Sequence, residues 1–237
     1  MTFRIEIPAE SSWFQGHFPG RPILPGIAQL AFVQRALGVP LSGVSGLKLR
    51  RPVLPGEVLD LLLEPAGGEG WTRFELRREG EAISSGSVLS GESEAESPPQ
   101  DTSLGETAAL PLLPHAPPAR LVTGVIVASA GEIVCAAEVS PSHPLVEGDR
   151  FPSFLGIEAA AQAAAVLEAL ARHGEDRGPR TGYLVGVREA SFAVPFLPVS
   201  QSFRVTARLQ GSAPPLSIYE IAAAGVVIGT VSTFLAD

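Results

Sequence analysis

Residues 91–108 divide the chain into two halves of similar size, with the sequence GESEAESPPQDTSLGETA. This stretch holds five Asp or Glu residues and no Lys or Arg, and Ser, Pro and Gly make up much of the remainder. Such a composition is typical of a solvated linker, because it offers too little apolar surface to join a core. The sequence therefore predicts two domains, residues 1–90 and residues 109–237, joined by an acidic linker at 91–108.

Both halves contain the same order of predicted elements: a strand, a loop, a helix and then several strands. In the first half, FRIEI alternates as a strand, a helix follows Gly26 and ends at Gly38, and alternating segments follow from GLKLRR onward. In the second half, two strands flank Gly131, and a long helix with Pro152 near its start and Gly174 at its end precedes four more strands. An antiparallel sheet wrapped around one helix in each half accounts for this order, so the predicted fold class is α+β.

Composition and charge exclude several classes of function. The chain has 237 residues, of which 45% are hydrophobic and 18% charged, enough for a well-packed core. Its formal net charge of -8 argues against nucleic-acid binding. The first residues, MTFRIEIPAESSW, lack the basic head and apolar run of a signal peptide, and no charge-free apolar stretch is long enough to span a membrane. A single cysteine, Cys135, rules out an internal disulfide, so we expect a cytoplasmic protein.

A histidine stands in a stiff loop near the start of the chain. Residues 16–26 read GHFPGRPILPG, in which Pro fixes φ and Gly permits positive φ, so neither a helix nor a central strand fits. The loop leads into the first predicted helix and holds His17 close to the free backbone N–H groups of its N-terminus. From the loop alone, His17 is either an exposed turn residue or a functional imidazole.

The segment EAAAQ of the second predicted helix places Glu158 and Gln162 one turn apart on the same face. With Glu168 and Arg172 they also fall on a narrow stripe, which is typical of an exposed polar face. The Ala, Val and Leu residues around them favour an enclosed helix instead, although Ala is also the best helix former. The pattern leaves both interpretations open.

Two blocks of the first half, GHFPGRPILPG and GLKLRRPVLPGEVL, resemble β-hydroxyacyl-acyl-carrier-protein dehydratases, in which the catalytic histidine opens the His-Phe-Pro-Gly motif. The first half is also similar to one aryl-polyene dehydratase hotdog, through ILPGIAQL. The second half resembles the companion dehydratase-like hotdog of aryl-polyene gene clusters, through LLPHAPPARLV, GIEAAAQA and GYLVGVR. The resemblance implies two hotdog folds in one chain, each a sheet around a central helix, packed as an intramolecular pseudo-dimer.

The resemblance also implies an activity, the dehydration of a β-hydroxyacyl thioester to a trans-2-enoyl thioester in fatty acid, polyene or specialised lipid synthesis. Dehydratases of this family pair a histidine with a carboxylate on the central helix of the partner hotdog. At the carboxylate position the first half has Ala31, or Ala28 in an alternative register. We therefore expect one composite site, in which His17 takes the α-proton and Glu158 protonates the departing hydroxyl. Burial is expected to raise the pKa of Glu158 and keep it protonated.

Gly26 and Gln162 complete the expected site. Backbone N–H groups at Gly26 would receive the thioester oxygen as negative charge develops on it, and Gln162 would help to bind the substrate. The resemblance implies no metal and no organic cofactor.

The other histidines are assigned lesser roles. His143 corresponds to His17 in the second half, but it would face an alanine, so its site is expected to be vestigial or to bind an acyl chain. His115, in LLPHAPP, is expected to serve a structural turn. His173, beside the predicted helix end, is expected to place a cation at a helix C-terminus.

The expected partner is an acyl carrier protein with a phosphopantetheine-linked acyl chain, without nucleic acid or a membrane span. Because the chain and such a carrier are both acidic, docking needs a local basic patch, with Arg21, Arg50 and Arg51 as candidates. Two other functions stay open: a hotdog thioesterase, in which a helix carboxylate activates water, and a catalytically silent acyl-binding or scaffold partner of another dehydratase. Further oligomerisation of the pseudo-dimer also stays open.

Overall fold

The computed structural model describes residues 1–91, 107–108, 112–172, 181–199 and 201–236. The first half contains one α-helix and five strands, with a 3₁₀ turn ahead of the helix: β1 (Thr2–Glu6), the 3₁₀ turn (Ser12–Phe14), α1 (Ala28–Leu37), β2 (Leu41–Leu49), β3 (Val58–Pro65), β4 (Trp71–Arg78) and β5 (Glu81–Ser90). The helix α1 begins where the Pro- and Gly-rich loop ends. Gly38 ends it in the left-handed conformation, with φ 71°.

The described part of the second half contains one long α-helix and nine strands: β6 (Thr107–Ala108), β7 (Val122–Ala128), β8 (Glu132–Ala137), β9 (Arg150–Pro152), α2 (Leu155–Ala171), β10 (Gly182–Phe192), β11 (Phe196–Pro198), β12 (Phe203–Ala213), β13 (Leu216–Ala223) and β14 (Val227–Leu235). As the sequence predicts, strands precede and follow one α-helix in each half, but four strands precede α2 in the described residues and one precedes α1. Among the residues described, no helix is both long and apolar enough to cross a lipid bilayer.

Strands from both halves join in one twelve-stranded sheet, in the order β1-β3-β4-β5-β2-β10-β14-β13-β12-β8-β7-β6, while β9 and β11 form a separate pair. β2 and β10 join the halves, and their antiparallel register pairs Val44 with Ala190 and Leu47 with Val187. These four side chains are buried, so apolar contacts reinforce the backbone hydrogen bonds between the halves. Each half is a sheet around one helix, and the two hotdogs pack as a pseudo-dimer within one chain.

Most of α2 is enclosed, with twelve of its seventeen residues buried. Gly156 lets the helix approach the sheet closely, because a Cβ at this position would lie 2.9 Å from the Cβ of Ala223. Glu158 and Gln162 are only 7% and 1% exposed. The interpretation of an exposed polar stripe is therefore wrong for these two residues, since the rest of the chain encloses the face that carries them.

Two predicted element boundaries differ in the structure. β2 begins at Leu41, ahead of the GLKLRR segment, because pairing with β5 and β10 extends it. Pro152 does not start the helix. It ends strand β9, where it pairs with Phe196 of β11.

The predicted linker falls mostly on residues 92–106, which lie outside the described residues, as do His173 and Gly174. The last two linker residues, Thr107 and Ala108, form β6 and pair with β7. The sheet of the second half therefore begins slightly before the predicted domain boundary.

A backbone contact between Gly16 and Ala116 also connects the halves. The N–H group of Ala116 donates a hydrogen bond to the Gly16 carbonyl at 2.9 Å. Gly16 has φ 78°, and a Cβ at this position would lie 1.9 Å from the Ala116 carbonyl oxygen, so only glycine fits. The contact brings the neighbouring residues His17 and His115 side by side, with their ring centroids 5.3 Å apart.

Replacement of Gly16 by alanine tests this joint, with Gly20→Ala as the matched control. Both glycines lie in the same loop, with φ 78° and 76°, but no described atom lies within 4 Å of a Cβ at Gly20. Both variants place an alanine in the left-handed region, and only Gly16→Ala adds a collision with backbone. We expect Gly16→Ala to lower the free energy of unfolding by about 1–3 kcal/mol more than Gly20→Ala, measured by chemical denaturation. Equal losses in the two variants would contradict the tight joint.

Candidate active site at the junction of the two halves

A cavity of about 360 Å³ opens between the two halves. Its lining comes from the Pro- and Gly-rich loop, α1 and β2 of the first half and from α2, β10 and β14 of the second. The cavity follows α2 from Glu158 to Glu168, a helical rise of about 15 Å. Its shape and its many apolar side chains suit an elongated, mostly apolar ligand.

Three buried polar side chains meet at this cavity: His17, His115 and Glu158. One nitrogen of each ring and one carboxylate oxygen all lie within 4.8 Å of one another. The three residues are no more than 8% exposed. Burial of polar groups costs desolvation free energy, so a buried polar cluster beside a cavity is typical of a functional site.

The hydrogen bonds of His17 fix its tautomer. Its Nδ1 atom lies 3.0 Å from the carbonyl oxygen of Ile23. Because a carbonyl oxygen only accepts hydrogen bonds, Nδ1 carries the proton and Nε2 keeps its lone pair. Burial lowers the pKa of His17 from its ordinary value of 6.5, against the opposing effect of the Glu158 charge, and the neighbouring His115 also lowers it. His17 is therefore a neutral imidazole near pH 7, the form that accepts a proton.

Glu158 lies in the first turn of α2, with Oε1 3.6 Å from His115 Nε2 and 3.3 Å from the side-chain nitrogen of Gln162. Burial alone raises the pKa of Glu158. At the low pH where Glu158 titrates, the contact with His115, the positive charges of His17 and His115, and the hydrogen bond from Gln162 together outweigh burial and lower the pKa to about 2. The expectation of a raised pKa is therefore wrong, and Glu158 is a carboxylate at neutral pH in the ligand-free protein.

The side-chain amide of Gln162 has all its donors and acceptors occupied by hydrogen bonds within the protein. Its side-chain nitrogen donates to the Ala119 carbonyl at 2.9 Å and to Glu158, and its side-chain oxygen accepts from the N–H groups of Leu121 at 2.8 Å and Val122 at 3.3 Å. Gln162 thus holds residues 119–122 against α2 and orients Glu158. Gln162 therefore has no free donor for the contact with a substrate that the sequence predicts.

Gly26 lies on the cavity wall, two residues ahead of α1. Its N–H group has no acceptor among the described residues. The N–H group of Gly156, near the start of α2, donates instead to the Ser153 carbonyl at 2.9 Å. Gly156 stands ahead of Ile157 as Gly26 stands ahead of Ile27, and of these two glycines it is Gly26 whose N–H group lacks an acceptor among the described residues and can meet a developing negative charge.

Two dehydratase family models match the chain, one in each half. The ApeP-like model, ApeP dehydratase, matches residues 107–230, more than half of the chain. The chain belongs to the ApeP dehydratase family. The ApeI-like model, ApeI dehydratase, matches residues 1–87. Residues 107–230 are therefore called the ApeP-type half, and residues 1–87 the ApeI-type half.

Curated relatives include dehydratases of the FabZ type. The chain is 39% identical over 92 residues to the 3-hydroxyacyl-acyl-carrier-protein dehydratase FabZ of Thermus thermophilus, which covers 32% of this chain and 65% of that protein. It is 38% identical over 73 residues to FabZ of Novosphingobium aromaticivorans, which covers 24% of this chain and 46% of that protein. The chain thus spans less than two thirds of the length of either relative.

Solved structures share the fold. The dehydratase domain of RzxB from Pseudomonas fluorescens matches with a TM-score of 0.71 and 16% identity, covering 98% of this chain and 93% of that one. A chain of the dehydratase heterocomplex ApeI:P from Xenorhabdus doucetiae matches with a TM-score of 0.50 and 24% identity, covering 56% of this chain and 93% of that one. At these identities the similarity establishes the double-hotdog fold and no more.

His115, in the ApeP-type half, is part of the cluster at the cavity. The structural turn role expected from the sequence does not account for this position. Its ring is 8% exposed, contacts Glu158, and meets the ring of Phe18 edge-on at 4.7 Å. Its Nδ1 atom is buried and has no hydrogen-bond partner among the described residues. The available signal in the sequence was a histidine held between prolines, the same kind of setting that singles out His17.

His143 lies apart from the main cavity. With Ala28 and Glu158 it borders a second cavity of only about 10 Å³, which holds at most about one water molecule. The N–H group of Leu145 donates to His143 Nδ1 at 3.2 Å, so the proton of the neutral ring is on Nε2. This space is too small for an acyl chain in the ligand-free protein, and the vestigial role of His143 stays a prediction.

The pH dependence of stability tests the environment of His143. Burial lowers the pKa of His143 from 6.5 to about 4, against an opposing effect of the Glu158 charge. Between these two pH values His143 is protonated in the unfolded chain and neutral in the folded chain. The free energy of unfolding therefore decreases as the pH falls from 6.5 to about 4. We expect this single group to contribute a loss on the order of 3 kcal/mol.

We expect His143→Gln, which does not titrate, to lose less unfolding free energy than the wild type between pH 7.5 and pH 4. Urea denaturation curves across this range give the comparison, and the difference at pH 7.5 isolates the effect of the substitution on packing. Parallel pH profiles for the two proteins would contradict a neutral, buried His143.

Proposed function

We propose that this chain removes water from β-hydroxyacyl thioesters to give trans-2-enoyl thioesters, at one composite site between its halves. The observation that carries the proposal is a neutral His17 with a free Nε2, clustered with Glu158 at the main cavity. Membership of the ApeP dehydratase family and similarity to FabZ support the reaction class. The product would serve fatty acid, polyene or specialised lipid synthesis.

Each group of the proposed site has a separate task. His17 Nε2 takes the proton from the α-carbon, and the electron pair of that C–H bond forms the double bond. The bond between the β-carbon and the hydroxyl oxygen breaks, and the proton that His17 has taken passes by way of Glu158 to the departing hydroxyl, which leaves as water. The Gly26 N–H group stabilises the negative charge that develops on the thioester oxygen. Gln162 orients Glu158.

We infer that the substrate arrives on the phosphopantetheine arm of an acyl carrier protein. Arg21, Arg50 and Arg51 line the cavity and are exposed, which gives its opening a local positive charge in a chain of net charge -8. Such a patch attracts an acidic carrier. Arg51 also forms an ion pair with Glu81, which reduces its share of that attraction.

We further propose that the two halves act as one enzyme within one polypeptide. The ApeI:P dehydratase of X. doucetiae is a heterocomplex, and the ApeI-type and ApeP-type halves of this chain would form the corresponding pair through β2 and β10. We place the protein in the cytoplasm, a reducing compartment that its buried free Cys135 suits.

An assay of the purified chain with a β-hydroxyacyl carrier thioester decides between the candidate functions. Enoyl product supports dehydration, free acid indicates a thioesterase, and unchanged substrate indicates a silent binding partner. The assay is repeated with EDTA, because two imidazoles and a carboxylate are also ligands that Zn²⁺ accepts. Activity that stops with EDTA and returns with Zn²⁺ would mean that the cluster works through a metal.

Three variants test the assignment of residues. We expect His17→Ala and Glu158→Gln each to lower the rate of enoyl formation by at least about 100-fold, the scale of a positioned acid or base. His143→Ala should keep most of the activity. It is the matched control, because it removes a histidine as buried as His17. Circular dichroism checks that all three fold. Equal losses in the three variants would contradict a single composite site.

A further inference from the structure

A second group of polar side chains lies along the main cavity, apart from the catalytic cluster. Glu168, near the C-terminal end of α2, lines the cavity as Glu158 does near the N-terminal end. The hydroxyl groups of Tyr219 and Thr233 donate hydrogen bonds to Glu168 Oε1 at 2.8 Å and 3.2 Å. These three side chains are called the distal cluster, and the steps proposed above leave it without a task.

The distal cluster holds a carboxylate in place and leaves one of its oxygens available. Tyr219 and Thr233 are only 2% and 6% exposed, and both bonds go to Oε1. Burial and the negative charge of Glu168 raise the pKa of Tyr219, so its hydroxyl keeps its proton and donates. Glu168 Oε2 has no hydrogen-bond partner among the described residues. The cavity wall therefore carries an oriented hydrogen-bond acceptor.

A structural role does not by itself explain a carboxylate at this position. Two hydroxyl donors need only a neutral acceptor, such as the side-chain oxygen of a glutamine. Between Glu158 and Glu168 the cavity passes the small apolar side chains Ala161 and Ala165. An apolar chain that filled the cavity would remove water from Glu168 Oε2 without replacing its hydrogen bonds, which is unfavourable. A ligand that brings its own donor to Glu168 avoids this loss.

A neighbouring positive charge narrows the choice of donor. Arg172 lies one helical turn after Glu168, and its charge opposes the rise in the pKa of Tyr219. Arg172 Nη1 is buried and has no hydrogen-bond partner within the described part of the chain. This guanidinium repels an ammonium group that approaches Glu168. A neutral hydroxyl is therefore the better donor for this place.

The spacing along α2 sets the length of the chain that reaches both carboxylates. Glu158 and Glu168 are separated by a helical rise of about 15 Å. An extended hydrocarbon chain advances by about 1.3 Å per carbon–carbon bond, and a hydrogen bond at each end adds to its reach. A chain of about twelve carbons thus extends from a β-hydroxyl at Glu158 to a terminal hydroxyl at Glu168.

We propose that the distal cluster selects acyl chains whose far end carries a hydroxyl group. Glu168 Oε2 accepts the hydrogen bond of that hydroxyl, while Tyr219 and Thr233 hold the carboxylate in place. A methyl-ended chain of the same length leaves this oxygen buried without a donor. The inference rests on the proposed dehydration and names the class of substrate that the same cavity takes.

Two pantetheine thioesters of equal length test the selection, 3-hydroxydodecanoyl and 3,12-dihydroxydodecanoyl. We expect the wild type to dehydrate the hydroxyl-ended chain with a kcat/KM at least about tenfold higher. The triple variant Glu168→Met, Tyr219→Phe, Thr233→Val should reverse this preference. It replaces each polar group by an apolar one of similar shape, a change that is nearly neutral for stability when all partners are replaced. Circular dichroism and thermal unfolding check that the variant folds.

Two single variants serve as comparisons. Glu168→Gln keeps an acceptor for Tyr219 and Thr233 and brings an amide that can bond a hydroxyl, so it should retain the preference for the hydroxyl-ended chain. Glu220→Met is the matched control. It removes an exposed carboxylate next to Tyr219 on β13, outside the cavity, and should keep the wild-type preference.

Equal wild-type kcat/KM values for the two chains, or an unchanged preference in the triple variant, would overturn the selection. A 3-hydroxybutyryl thioester is too short to reach Glu168 and reports dehydration alone. A wild-type chain that dehydrates none of the three substrates would contradict the proposed function, which is a different result. Calorimetric binding of the unreactive dodecanoyl and 12-hydroxydodecanoyl pantetheine amides then decides the inference without turnover, and tighter binding of the hydroxyl-ended amide supports it.

Discussion

Strands β2 and β10 pair near the middle of the twelve-stranded sheet, and the composite site depends on that pairing. The pairing fuses two hotdogs into one sheet and brings the loop ahead of α1 against the N-terminal turn of α2. The hydrogen bond between Gly16 and Ala116 then sets the distance at which the two halves meet. Apart from each other, the halves would leave β2 and β10 as unpaired edge strands, which is unfavourable.

The two junctions of the pseudo-dimer are unequal, because two corresponding histidines share one carboxylate. His17 lines both the cavity of about 360 Å³ and the one of about 10 Å³, whereas His143 lines the smaller one and not the larger. The first helix has tightly packed alanines at both positions where a second carboxylate is expected, with Ala28 0% and Ala31 3% exposed. A buried carboxylate needs compensating donors and charges, so the chain concentrates these around Glu158.

Features set by neighbours along the chain could be predicted from the sequence, and features set by contacts across the fold could not. The Pro-Gly loop of His17 and the helical spacing of Glu158 and Gln162 follow from local geometry. The low pKa of Glu158 and the internal hydrogen bonds of Gln162 depend on His115 and residues 119–122, which are distant in sequence. Pro152 likewise belongs to a strand only because Phe196 pairs with it.

Mixing two inactive chains tests most directly the central claim that one polypeptide builds the whole site. A His17→Ala chain retains Glu158, and a Glu158→Gln chain retains His17. The two are unfolded together, refolded together and assayed for enoyl formation beside each variant alone and refolded wild type. Because neither chain holds both groups, the account predicts that the mixture is no more active than its separate components. Activity recovered in the mixture would contradict the account, since it would mean that the site forms between two chains.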